Sequence, residues 1–102
     1  MVIVDYQPKE GNADAFKSLV QTHVDRLKAE NLVTDRELII MEAADGTTIE
    51  VFEWLFAEAI QQAHQNKVVH QMWGEFGEVC DYVPLNSIAE AASMFAEFGA
   101  VE

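Results

Sequence analysis

Three histidines, His23, His64 and His70, and five acidic residues set among β-branched or aromatic neighbours, Asp5, Glu42, Glu50, Glu53 and Asp81, are the side chains of this chain best suited to moving a proton. Two of the histidines and both tryptophans, Trp54 and Trp73, crowd into the stretch Thr47 to Trp73, TTIEVFEWLFAEAIQQAHQNKVVHQMW. Strand alternation puts Glu50 on one face with Phe52 and Trp54, and Glu53 on the other with Ile49 and Val51. At least one of these carboxylates therefore lies on a mostly apolar surface, as a candidate acid or base. The plain alternative is that they sit at strand ends, solvated or paired. Trp54, Trp73, Phe52 and Phe76 are the aromatics able to line an apolar pocket, with His64, His23 or His70 as base and Tyr82 as hydroxyl donor. For each aromatic the alternative is ordinary core packing. No H-x-x-x-H, H-E-x-x-H or Cys/His cluster is present, so no metal site is expected.

These residues need a scaffold, and the pattern supplies one. Residues 1–7, with β-branched and aromatic VIVDY, read as a first strand closed by Pro8. Asn12 is placed to cap a helix whose apolar stripe is Phe16, Leu19, Val20, Val24 and Leu27, with His23 near its middle and a left-handed stop at Asn31. A lone histidine on such a stripe is ordinarily a hydrogen-bonded core residue. Glu37 to Ala43 and Thr47 to Trp54 read as antiparallel strands joined by an Asp45-Gly46 turn. A short helix follows over Ala57 to His64, then a second from Asn66 as cap to Phe76, stopped by Gly77, and a fourth strand over Glu78 to Val83. His64 and His70 fall at the margins of these two helices. Ser87-Ile88-Ala89-Glu90 has the form of a capping box and predicts a last helix within residues 86–102, its apolar side made by Ile88, Ala91, Ala92, Phe95 and Phe98.

The order β-α-β-β-α-β is that of a ferredoxin-like α+β subunit, a single domain over residues 1–102. One face of its antiparallel sheet carries the helices. Strand two is nonetheless apolar on both faces, Leu38 and Ile40 against Ile39 and Met41, and strand one alternates Val2 and Val4 with Ile3. A sheet with one wet face should alternate with polar residues. The second cover is therefore expected from another copy, in a homodimer.

Composition narrows the partners. Eighteen acidic residues against six basic ones give a net charge of −12, which repels nucleic acid and anionic membranes, and the six cations are scattered. No apolar run approaches the ~20 residues of a membrane span. The opening MVIVDYQPKEG lacks a basic leader region, so a cytoplasmic location is expected. Cys80, the only cysteine, reads as a small buried hydrophobe.

The succession EVFEW (Glu50 to Trp54), AEAIQQAH (Ala57 to His64), a helix ending in MWGEF (Met72 to Phe76) and VCDYVPL (Val79 to Leu85) resembles the dimeric α+β barrel superfamily, and within it the antibiotic-biosynthesis-monooxygenase-like proteins. The likeness spans residues 1–85 and leaves the last helix outside. It implies a homodimeric barrel with ligands held between sheet and helices, where His23 would project, and a pocket-facing histidine or tryptophan near His64. Activities in that family include cofactor-free oxygenation of aromatic substrates and degradation of haem. Haem-degrading members carry an asparagine on the first strand and a haem-ligating histidine about ten residues beyond a helical tryptophan. Here the first strand reads VDYQ and the ligand position falls at Trp73 or Gly74, so that activity is rejected. Cofactor-independent oxygenation of a small aromatic or quinol-like molecule is the expectation, needing only an apolar pocket, a base and hydrogen bonds to an oxyanion. The alternatives are a non-catalytic dimer that binds a small molecule or is purely structural, and an isomerase, decarboxylase or dehalogenase on the same scaffold.

Overall fold

The computed structural model describes residues 1–101. Its elements are β1 (Val2–Pro8), α1 (Ala13–Ala29), β2 (Ile39–Glu42), β3 (Thr48–Phe52), α2 (Ala59–Gln65), α3 (Lys67–Val79), β4 (Cys80–Val83) and β5 (Gly99–Ala100). All strand pairings are antiparallel, in the order β4-β1-β3-β2-β5. This is an α+β chain with a five-stranded antiparallel sheet and three α-helices among the described residues, compatible with a ferredoxin-like fold.

Local chemistry accounts for the joints. Gly46, at φ +91°, turns the chain between β2 and β3, while the Asp45 side chain accepts from the Thr47 N–H at 2.8 Å. Asn31 takes φ +58° after α1, with its N–H on Lys28 O and that of Leu32 on Leu27 O, the paired bonds of a Schellman stop. Asn66 breaks the helical path between α2 and α3 and accepts from the N–H groups of Val68 and Val69. Asn12 precedes α1, but its side chain donates back to Glu10 O and makes no cap bond. Gly77 does not stop α3, which runs on to Val79. A helical glycine costs only ~1 kcal/mol, and the strand takes over directly at Cys80.

Strand register sorts the side chains into two faces. Val4 lies opposite Glu50, and Glu50 opposite Ile40; Val2 lies opposite Phe52, and Tyr6 opposite both Thr48 and Tyr82. These residues face the helices, where Tyr6, Phe16, Val20, Val24, Leu27, Phe52, Val69, Met72 and Phe76 form the main core. The other face carries Ile3, Asp5, Ile49, Val51, Ile39 and Met41.

That second face receives cover from the chain itself, which corrects one step of the sequence argument. Ile88, buried, packs with Ala43 and Ile49, and Phe98 joins the same cluster beside Met41 and Val51. The C-terminal helix expected within residues 86–102 is not formed among the described residues, 86–101. Its place is taken by two short 3₁₀ turns, Leu85–Ser87 and Ala89–Ala92, and by β5, whose Ala100 and Gly99 pair with Met41 and Glu42 of β2. The capping box is diverted: Glu90 accepts instead from the Ala44 N–H at 2.8 Å, fastening the tail to the β2–β3 hairpin. Helical periodicity lost to these long-range contacts, and Met94 and Phe95 are left 92% and 82% exposed. The cover is partial, since Ile3 and Ile39 remain half exposed on that face.

Candidate functional site

Between the sheet and the helices lies a cavity of about 360 Å³ lined by Val2, Val4, Tyr6, His23, Phe52, Trp54, Ile60, His64, Trp73 and Tyr82. Such a volume suits a ligand of one or two rings. Each wall has a clear origin. Val2, Val4 and Tyr6 of β1 and Phe52 of β3 face it by strand alternation, His23 descends from the buried stripe of α1, and α2 and α3 contribute Ile60, His64 and Trp73. Ala59 and Ala63, both fully buried, allow α2 to approach the core closely.

Two polar residues of the lining, Tyr6 and His23, meet Glu50, which is not itself part of the lining, in a three-residue network. Glu50 has no exposed surface; its Oε1 accepts from the Tyr6 hydroxyl at 2.8 Å. His23 Nδ1 lies 2.8 Å from Oε1 and 3.0 Å from Oε2 of the same carboxylate. An ionised carboxylate can only accept, so opposite one the imidazole donates through Nδ1, and in the neutral ring Nε2 is then the acceptor. Edge-on contacts with Phe52 and Phe76, at centroid distances of 5.6 and 5.1 Å, hold the ring plane. Burial first, then the charge and hydrogen bond of Glu50, push the Tyr6 hydroxyl far above the usual phenol range, so it stays a donor. The arrangement amounts to a carboxylate-backed imidazole at the end of an apolar cavity, which is how proteins hold a general base.

The other expected site residues are distributed as follows. Phe52, Trp54, Trp73, His64 and Tyr82 line the cavity together with His23. Tyr82 lies at the rim, half exposed, with its hydroxyl pushed up to about 12 by burial and by the proximity of Cys80 and Glu50. His64 meets the edge of Trp73 at 5.0 Å. Phe76 is not part of the lining; it is fully buried behind it, stacked on Tyr6. His70 is also outside: its Nε2 donates to the carbonyl oxygen of His64, and it shares a separate shallow recess with His64, Gln65 and Lys67. Glu53 turns away to an exposed ion pair with Arg36, whose hydrogen bond holds the carboxyl below its ordinary value. Cys80 is buried, with its thiol raised to about 11 by desolvation and donating to Phe76 O.

Sequence reasoning missed Tyr6, along with Val2, Val4 and Ile60. Alternation along β1 already placed Tyr6 with Val2 and Val4, but only the pairing of β1 with β3, whose partners are more than 40 residues apart, brings it to Glu50. Among the described residues no group of three His, Cys, Asp or Glu side chains could hold a metal ion, and no helix is long and apolar enough to cross a membrane. Compared with protein-family models, curated proteins and solved structures, the chain matches none.

Proposed function

We propose that the chain is a cofactor-independent monooxygenase for a small, flat hydroxyaromatic or quinol-like molecule, working as a homodimeric α+β barrel. The observation that carries this reading is the aromatic cavity with a single buried base, His23, backed by Glu50. The substrate hydroxyl gives its proton to His23 Nε2, and the electron-rich ring then passes an electron to dioxygen. Recombination forms a bond between oxygen and a ring carbon, and the resulting peroxide takes back the proton held by His23; cleavage of the O–O bond with loss of that carbon's hydrogen then releases water and leaves a quinone. One oxygen atom ends in the ring and the other in water. All four electrons taken up by dioxygen come from the substrate, so no further reductant enters. Glu50 steadies the imidazolium formed in the first step.

The partly covered sheet face, with Ile3 and Ile39 half exposed, supports a second copy there. A non-catalytic binder of the same ligand, and an isomerase using His23 for proton transfer, would share the cavity but not the need for oxygen. The test is oxygen uptake and quinone formation with a panel of naphthols and hydroquinones under air and under nitrogen. The reading expects aerobic turnover that falls by about 10²-fold or more in His23→Ala, the usual worth of a positioned base. Turnover equal in the two proteins would remove His23 from the mechanism, and binding without uptake for every compound would favour the non-catalytic class.

A further inference from the structure

We propose that Tyr6 is a positioning residue for the His23 base: it donates to the same Glu50 oxygen that His23 Nδ1 uses, and so limits how firmly Glu50 holds a proton on the imidazole. The geometry is a shared acceptor. Oε1 of Glu50 receives the Tyr6 hydroxyl and the His23 N–H at 2.8 Å each, and only the longer 3.0 Å contact reaches Oε2. Each donor draws charge from the carboxylate, so what one takes the other loses. Tyr6 cannot swing away: its ring is buried among Phe16, Phe76 and Tyr82 at centroid distances of 5.2 to 5.4 Å. With the hydroxyl removed, the full carboxylate charge turns to His23. Protonated His23 is then favoured, and the neutral form able to accept a substrate proton appears only at higher pH.

Of the other titratable groups on the elements around His23, those sharing its cavity or lying nearest to it are the following. Tyr82 of β4 and His64 of α2 line the same cavity. Arg26, one turn along α1, is held by Glu75 of α3 at 2.8 Å, and Cys80 donates to Phe76 O. Asp5, next to Tyr6 in β1, faces the opposite side of the sheet.

The catalytic meaning of this role rests on the oxygenase reading, but the role itself is measurable without substrate. The imidazole protons of ligand-free protein are followed by NMR against pH in wild type, Tyr6→Phe and Glu50→Gln. The His23 midpoint is expected to rise by roughly 0.5 to 1 pH unit in Y6F, the order of one hydrogen bond to a charged group, and to fall in E50Q. The His64 midpoint serves as internal reference and stays in place. Should Y6F fail to fold, fluorotyrosine incorporated into a Tyr82→Phe chain makes Tyr6 the only labelled phenol and a stronger donor, and the His23 midpoint then falls. A midpoint that is unmoved or shifts the other way, or an imidazole that does not titrate while the protein is folded, overturns the proposal. The acid limb of the oxygen-uptake profile should move with the midpoint. A shifted midpoint without any uptake leaves the role of Tyr6 standing and defeats the oxygenase reading; uptake with an unmoved midpoint does the reverse.

Discussion

Glu50 and Asp5 are buried acids of adjacent strands, on opposite faces of one sheet, and their surroundings could hardly differ more. Glu50 is met by two donors, whereas the carboxylate oxygens of Asp5, a residue only 3% exposed, have no hydrogen-bond partner among the described residues. Leaving such a group buried costs about 1–3 kcal/mol. Burial raises the Asp5 carboxyl above its ordinary 3.8, so the folded chain binds that proton more tightly than the unfolded chain. The sign follows: the stability contributed by protonated Asp5 is complete below pH 3.8 and is lost as pH rises through the higher folded value. Asn at this position does not titrate. Asp5→Asn should therefore gain on wild type as pH rises from 4 to 7, ending more stable by about 1 kcal/mol in urea unfolding. A gap that is constant with pH, or a less stable Asn variant at pH 7, would count against this account of Asp5. Alternation through β3 and on to Trp54 made the company of Glu50, Phe52 and Trp54 legible in the sequence. What answers Glu50 was not legible, because Tyr6 and His23 reach it through pairings that no local pattern encodes.

At the scale of elements, the readable joints were those set by a side chain's own backbone chemistry. The Asp45-Gly46 turn, the left-handed Asn31 and the Asn66 cap are local events, and each stands where its residue type demands. The tail shows the opposite case. Residues 87–98 have helical periodicity, yet Ile88 and Glu90 find better partners in Ile49 and the Ala44 N–H, so the segment is drawn out as a strap across the sheet. Burying Ile88 and making the Glu90 bond together contribute roughly 2–4 kcal/mol. A chain ending at Val83 should lose about that much stability in urea unfolding. It should still bind an aromatic ligand within about twofold, because the cavity opens on the helix side of the sheet. In the same experiment the full chain should sediment at twice its 11.4 kDa, two copies closing the face that the strap leaves half bare. A monomer at micromolar concentration would contradict the dimer, and lost binding at full stability would place the strap in the site.

Taken whole, the molecule divides its labour across one sheet: strap and half-covered apolar residues on one side, cavity and the His23–Glu50 pair on the other. Its charge of −12 opposes the approach of anions, so the proposed ligand should be a neutral molecule and not a carboxylate or phosphate. The βαββαβ order and the apolar second face were legible from periodicity, while the source of the cover was not, since a tail folding back on its own sheet leaves no periodic signature. The central claim is that the cavity seats a flat hydroxyaromatic with its hydroxyl on His23. A crystal structure of the protein soaked anaerobically with a naphthol tests it most directly. The account predicts the ring between Trp54 and Trp73, with its oxygen within hydrogen-bond distance of His23 Nε2, roughly 2.6–3.2 Å. A naphthol bound elsewhere, or lying in the cavity with its hydroxyl turned away from His23, would contradict it.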